Sequence, residues 1–164
     1  MTSSPDRKLT RALRASTDDI LRYFLRRLEP EDAADALAEV MSTAWKRIDA
    51  LPEPPTEARM WLFGVARNVL LHSQRGLSRR ADLAERLRRV ATLREAPGAD
   101  TGSEVRDAIS RLDDSQAELV RLIHWDGFAV AEAAQLLGIP ASTARGRYQK
   151  AKEALREALS PVSK

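Results

Sequence analysis

Apolar side chains recur three and four residues apart over most of the chain, which is the spacing of helices that bury one face. We expect a first helix capped by Thr17, after a frayed polar tail at residues 1–16, and we expect it to stop at Pro30. A second helix follows over residues 31–48. A third begins at Thr56, and residues 78–94 extend or follow it. No stretch requires a strand, so the pattern predicts an all-α protein.

Two stretches interrupt this helical pattern. DALPEPPT, residues 49–56, contains three prolines, which remove backbone donors and favour extended conformations before them. EAPGADTGS, residues 95–103, has no apolar side chain larger than alanine. We interpret the first as an ordered loop. We interpret the second as a flexible linker between an N-terminal domain, residues 1–94, and a C-terminal domain, residues 104–164.

The C-terminal domain is expected to hold four helices, the last two forming a helix-turn-helix. Asp113 and Gln116 fit a capping box, whereas Ala129 is a poor N-cap. Gly127 and Gly138 suit the ends of helices, and Pro140 suits the start of the last one. On the third of these four helices, we expect Ala131, Ala134 and Leu137 to face inward.

The last helix separates into an apolar and a polar side. The apolar stripe comprises Ala144, Tyr148, Ala151, Leu155 and Leu159. The other side presents Ser142, Arg145, Gly146, Gln149 and Lys150. Arginine and lysine side chains, among them the neighbouring Arg147, can reach phosphates or guanine. Glutamine has the amide geometry for adenine, and glycine permits close approach of the backbone. This side therefore indicates DNA binding, with a merely solvated basic helix as the alternative.

The third helix carries a second polar stripe, formed by Gly64, Asn68, His72, Arg75 and Arg79. Trp61 and Phe63 lie close to it in sequence. Aromatic rings beside cations can stack on unpaired bases, although core packing is the alternative and is the one we favour for Trp61. On the second helix, Asp35 and Glu39 belong to an acidic side that suits either solvent or a basic partner.

Charge is segregated along the chain although its net value is only +3. Residues 67–94 carry +6 and residues 141–164 carry +4, separated by −5 over residues 95–126. Two basic blocks suit a partner with two spaced anionic sites, such as DNA. No apolar run matches a membrane span or a signal peptide, so we expect a cytoplasmic protein. There is no cysteine, and His72 and His124 are far apart, so we expect no metal or other cofactor.

Three stretches in this order resemble a bacterial RNA polymerase sigma factor of the extracytoplasmic-function (ECF) group. DAADALAEVMSTAWKRI is similar to the helix that grips the polymerase clamp, and WLFGVARNVLLHSQR to the helix that melts and reads the −10 element. The stretch from AISRLDD to KAKEAL is similar to the domain whose helix-turn-helix reads the −35 element. The resemblance implies a promoter-recognition subunit that binds core RNA polymerase and promoter DNA and is held by an anti-sigma factor.

The resemblance also implies roles for individual residues. Asp35, Glu39 and Trp45 would bind the polymerase. Arg67, Asn68, His72 and Arg75 would face the −10 strand, with residues 51–59 near a flipped base. The −35 duplex would meet Ser142, Thr143, Arg145, Gly146, Gln149 and Lys150. The chain departs from the family at Ala34 and Ala38, where Glu and Gln are common, and at Ala133, where Ile is usual.

Two other functional classes compete with this interpretation. A stand-alone, dimeric helix-turn-helix regulator would explain residues 105–159 equally well, but it leaves the stripe of Asn68, His72 and Arg75 unexplained. A helical nucleic-acid enzyme would need a convergent acidic metal site. The sequence offers no triad, paired-carboxylate site or phosphate-binding glycine loop, so we expect no enzymatic activity.

Overall fold

The fold is taken from a computed structural model that describes residues 4–88 and 103–160. All regular elements within these residues are helical, which confirms the all-α prediction. The chain divides into two compact units, Met1–Arg94 and Glu95–Lys164. The expected linker, residues 95–103, lies outside the described residues except for Ser103, which begins a helix.

The described part of the first unit, residues 4–88, has three helices: α1 (Ser4–Leu25), α2 (Pro30–Lys46) and α3 (Pro55–Arg88), with a short 3₁₀ turn at Ile48–Ala50. Each helix packs against the other two. Aromatic rings occupy the centre of this core, where Tyr23 makes edge contacts with Phe24 at 5.4 Å and Phe63 at 5.7 Å between ring centroids. The surrounding apolar side chains that are also fully buried are Leu9, Ile20, Leu62 and Val40.

The first helix begins much earlier than its sequence suggested. Leu9 and Leu13 are buried and lie in helical register with Ile20, so the segment predicted as a frayed tail is part of the core. Thr17 therefore lies inside α1, where its hydroxyl donates to the carbonyl of Leu13. The prediction of an N-cap at Thr17 is wrong because the two leucines have packing partners on distant helices.

Prolines begin helices here rather than end them. Pro30 is in the first turn of α2, after the N-cap Glu29, whereas α1 already ends at Leu25. Pro55 begins α3, so Thr56 lies inside its first turn and residues 55–59 are helical instead of loop. A proline at the first helical position loses no hydrogen bond, since that N–H has no partner within the helix. Helix α3 then runs without a break to Arg88, which confirms that residues 78–88 extend it; residues 89–94 lie outside the described part.

Over residues 103–160, the second unit has the expected four helices: α4 (Ser103–Ser110), α5 (Asp114–Val120), α6 (Val130–Leu137) and α7 (Ala141–Leu159). A π-helical turn, Arg121–Trp125, continues α5, and the N–H of Asp126 donates to the carbonyl of Arg121 at 3.1 Å. Helices α5 and α6 both pack on α7. One cluster of their core comprises Ile109, Ala117, Val120 and Ala151, flanked by Leu112, Trp125 and Leu155.

The connections before and after α6 contain glycines with positive φ, 75° at Gly127 and 68° at Gly138, as predicted. Beyond the second glycine, the N–H of Ile139 donates to the carbonyl of Ala134 at 3.1 Å. At the start of α6, Ala129 offers no capping side chain, but Glu132 accepts from its N–H at 3.0 Å. The turn geometry is thus fixed locally by residues that the sequence identifies.

Asp113 caps α5 through its side-chain carboxylate. Its carboxylate accepts from the N–H of Gln116 at 2.8 Å and from the hydroxyl of Ser115 at 2.7 Å. The bond from Gln116 is the one that the Asp113 side chain makes in the predicted capping box. The bond from Gln116, then that from Ser115, and to a lesser degree the charge of Arg147, hold the pKa of Asp113 below its ordinary value.

We therefore expect Asp113→Ala to lower the stability of the second unit at neutral pH. Because the folded-state pKa is depressed, the contribution of Asp113 is present above the unfolded-state pKa, about 3.9, and is lost as the pH falls through the lower folded-state pKa. The urea midpoints of wild type and Asp113→Ala, followed by far-UV circular dichroism, should differ at pH 7 and should differ less at a pH below the unfolded-state value of about 3.9. An equal difference at both values would contradict this role.

Candidate nucleic-acid interfaces

The polar side of α7 is exposed as predicted. Ser142, Arg145, Gly146, Gln149 and Lys150 are all exposed, and Thr143 is half-buried at the edge. Ala144 and Ala151 are fully buried on the opposite side, which fixes the rotation of the helix. The six residues expected to face DNA therefore share one accessible surface.

The buried side of the helix-turn-helix differs from the prediction at two places. Leu159 was expected inward but is 43% exposed, because the last turn of α7 reaches past the core. Ala131 was also expected inward, yet it is exposed. Ala134 is buried as expected, and Ala133, which the pattern did not place inward, is buried as well. The inward side of α6 is thus centred on Ala133 and Ala134.

The side chains on this surface have the chemistry for DNA contacts. Neither Arg145 nor Lys150 forms an ion pair within the described residues, so both cations can reach a phosphate or a guanine. A Cβ added at Gly146 would meet nothing within 4 Å, so packing inside the protein does not demand glycine there. Arg147 is different: its charge acts on Asp113 at the start of α5.

A contact that the sequence did not predict ties α7 to the π-helical turn. The hydroxyl of Tyr148 and Nε2 of His124 lie 2.6 Å apart, and Nζ of Lys152 lies 4.8 Å from the Tyr148 ring centroid. His124 and Tyr148 are far apart along the chain, and no periodic signal connects them. The pair supports the orientation of the exposed helix from its inner side.

The second candidate surface lies on α3. Asn68, His72 and Arg75 are exposed along one side, while Arg67 is half-buried and lies about 100° around the helix from Asn68. Phe63 is buried in the core, so stacking on bases is excluded for it. Trp61 is half-buried, with the guanidinium of Arg47 at 6.0 Å from its ring centroid, which agrees only partly with the core position we favoured.

His72 borders an acidic groove between α2 and α3. The groove has a volume of about 270 Å³, and its lining residues are Asp32, Asp35, Ala36, Glu39, His72, Ser73 and Gly76. The structure thus brings together Asp35 and Glu39, expected at the polymerase, with His72, expected at DNA. Because carboxylates repel phosphates, His72 marks the edge of the basic surface rather than its centre.

Trp45 lies apart from the two acidic residues with which it was grouped. It is about 80° to 120° around α2 from Asp35 and Glu39. Its indole, 44% exposed, lines another groove beside α1. The three residues assigned to the polymerase therefore occupy two sides of α2.

Within residues 4–88 and 103–160, no group of histidine, cysteine, aspartate and glutamate side chains could hold a metal ion. No helix among them is both long and apolar enough to cross a membrane.

The sequence of each unit matches a protein-family model. Residues 13–80 match the model of sigma-70 region 2, and residues 103–155 match that of sigma-70 region 4. The ECF RNA polymerase sigma factor SigC of Mycobacterium tuberculosis (strain CDC 1551 / Oshkosh) is 30% identical over 154 residues, which cover 91% of this chain and 82% of that protein. SigL of M. tuberculosis (strain ATCC 25618 / H37Rv) is 29% identical over 154 residues, covering 86% and 82%.

Solved structures share the fold. The sigma factor RpoE from Bartonella quintana, in complex with the anti-sigma factor NepR, superimposes with a TM-score of 0.64 at 21% identity, covering 96% of this chain and 98% of that one. CnrH, in complex with the cytosolic domain of CnrY, gives a TM-score of 0.65 at 21% identity, covering 96% and 91%.

Proposed function

Because the chain belongs to the ECF group of the sigma-70 family, we propose that it binds core RNA polymerase and directs transcription initiation at promoters with −10 and −35 elements. The observation that carries this proposal is the order of the two family regions, region 2 and then region 4, on two helical units. A stand-alone helix-turn-helix regulator accounts for the second region only. Two modules on one chain gain effective concentration when both engage, so neither needs to bind tightly alone.

The exposed side of α7 is the proposed −35 reader. Arg145 and Gln149 have the donor and acceptor groups for base edges in the major groove, and Lys150 is placed for a phosphate. Ser142 and Thr143 lie at the start of the helix, where hydroxyls and backbone N–H groups commonly meet phosphates. Gly146 lies between Arg145 and Gln149 and would let the backbone approach the duplex.

The exposed side of α3 is the proposed −10 reader. Asn68 and Arg75 lie at its centre, with Arg67 and His72 at its two edges. The segment 51–54, just before α3, is the part of the expected flipped-base loop that remains non-helical. A melted strand is held by stacking and by contacts with basic side chains. Holding it requires no catalytic group from this protein. We propose that nucleotide addition belongs to the polymerase and that this chain is not an enzyme.

Polymerase binding is proposed for α2, through Asp35 and Glu39 on one side and Trp45 on another. The protein would then act in the cytoplasm, where the polymerase meets DNA. An anti-sigma factor is a further proposed partner, because exposed apolar residues such as Met41 and Trp45 need cover when polymerase is absent. Stoichiometric recovery of polymerase subunits alone in a pull-down from unstressed cells would argue against such an inhibitor.

Gly146→Ala should separate folding from −35 recognition. Alanine is favoured over glycine inside a helix by about 0.8–1.0 kcal/mol, and its Cβ meets open space here, so the second unit should become more stable. The same methyl group would keep the backbone from the duplex. We expect binding of a labelled −35 promoter fragment, with core polymerase present, to weaken at least tenfold, or by about 1.4 kcal/mol.

Gly76→Ala is the matched control, because a Cβ there also meets nothing within 4 Å but the residue lies on α3. It should leave affinity for the −35 fragment unchanged. Fluorescence anisotropy for binding and urea denaturation for stability measure the two effects separately. Equal −35 affinity in wild type and Gly146→Ala would contradict the placement of this face on DNA.

A further inference from the structure

A polar pair in the second unit belongs to neither DNA-reading surface. The hydroxyl of Tyr148, on α7, lies 2.6 Å from Nε2 of His124, and the two ring centroids are 5.7 Å apart. His124 is exposed and Tyr148 is half-buried, so water competes for both groups and the net contribution of the bond to stability is modest. Tyr148 lies three residues after Arg145 and directly before Gln149, so the pair is at the level of the proposed −35 reader.

The first half of α7 has little else that fixes its rotation. Over residues 141–151, Tyr148 is the largest side chain that is not exposed. Ala144 and Ala151 are fully buried, but their side chains end at Cβ. Methyl groups let α7 approach the core closely without interlocking with it, so they restrict rotation of the helix only weakly. The rotation of α7 therefore depends on where the ring of Tyr148 is held, and its hydroxyl is held by His124.

The π-helical turn, Arg121–Trp125, is what presents His124 to α7. A π-helical turn is wider than an α-helical one, so its side chains point in directions that a continued α5 would not give them. The backbone is fixed on both sides of His124, because Leu122 is buried and its carbonyl accepts from the N–H of Phe128 at 2.9 Å. Such turns are rare and are frequent at functional sites. An exposed histidine on a fixed, unusual turn thus supports one side chain of α7.

We propose that His124 and Tyr148 are positioning residues for −35 recognition, which set the rotation of α7 without contacting DNA. Groups that read base edges have to be held within about 0.5 Å and 10–20° of their working geometry. Contacts to phosphates specify position rather than sequence, so loss of the pair should weaken base reading by Arg145 and Gln149 more than it weakens phosphate binding. The inference rests on the proposed function, since it concerns the same −35 reader.

Discrimination between two labelled duplexes tests the pair in the full-length protein bound to core polymerase. One duplex is a promoter fragment that supports run-off transcription, and the other has the same composition with its −35 segment shuffled. Tyr148→Phe removes only the hydroxyl and should lower the ratio of the two affinities at least threefold, measured by fluorescence anisotropy. His124→Leu should lower the ratio similarly. The double variant His124→Leu/Tyr148→Phe should lower it no further, because all three variants lose the same hydrogen bond.

Tyr23→Phe is the matched control, because it removes the hydroxyl of the other of the chain's two tyrosines, which lies on α1 in the first unit. It should leave the ratio unchanged. His124→Gln keeps a terminal amide that can bond to the phenol, and it should stay within twofold of wild type. Urea midpoints report folding separately, since a pair that only stabilised the second unit would move the midpoint and leave the ratio for folded protein unchanged.

The outcomes separate the two proposals. If wild type with core polymerase binds both duplexes equally, the proposed −35 recognition itself fails. If wild type discriminates and both Tyr148→Phe and His124→Leu discriminate equally well, only the positioning inference is overturned. An equal loss of affinity for the two duplexes would assign the pair to phosphate binding, and a loss in Tyr148→Phe alone would show that the hydroxyl acts without His124. Either result would also overturn the inference.

Discussion

Replacement of both Asn68 and Arg145 by alanine is expected to reduce promoter-specific transcription at least 100-fold. A good polar contact to a base contributes about 1–3 kcal/mol. The two side chains are exposed on separate folded units and share no partner among the described contacts, so their losses should add. Run-off transcript yield at a protein concentration below saturation measures the combined effect.

Each single variant should lose part of this activity, Arg145→Ala through −35 affinity and Asn68→Ala through strand opening. Arg106→Ala/Gln135→Ala is a matched control, because it also removes one cation and one amide from exposed positions. It should retain wild-type yield. A double Asn68→Ala/Arg145→Ala variant with more than one third of wild-type yield would contradict the assignment of both surfaces.

Phe63→Ala is expected to destabilise the first unit by about 3–5 kcal/mol, the usual cost of removing a buried phenyl ring. The ring is 1% exposed, lies at 5.7 Å from the Tyr23 centroid and has the Arg59 guanidinium at 4.7 Å. Because whole domains are stable by only about 5–15 kcal/mol, much of this unit's stability would be lost. Urea denaturation with hydrogen exchange, read over residues 4–88, gives the change.

Leu83→Ala provides the comparison, because Leu83 lies on the same helix and is 59% exposed. It should change stability by less than about 0.5 kcal/mol. A similar loss for both variants would mean that the aromatic cluster is not the centre of the core.

Local chemistry explains which parts of the fold were predictable. Gly127 and Gly138 adopt the left-handed conformation that few other residues tolerate, and Asp113 caps the helix that follows it. These features can therefore be predicted from a few neighbouring residues. The first half of α1 could not be predicted, because Leu9 and Leu13 are isolated among polar residues and are buried by helices far along the chain. The π-helical turn likewise had no signal in the sequence.

The candidate site shows the same division. Helical periodicity within one helix correctly separated the exposed polar side of α7 from its buried alanines. Surfaces shared by two helices were missed, since periodicity in one helix does not reveal how it crosses another. Asp35 and Glu39 meet His72 across a groove, although His72 was assigned from a different sequence stretch. Trp45 lines a groove with Arg11 and Arg14 of α1, for which the sequence predicted no role.

Run-off transcription with sigma-free core polymerase and a pool of genomic promoter fragments tests the central claim most directly. We predict discrete transcripts that appear only when this protein is added. The absence of any transcript, together with a palindromic duplex bound by a dimer of the protein alone, would contradict promoter recognition through polymerase and support a stand-alone regulator.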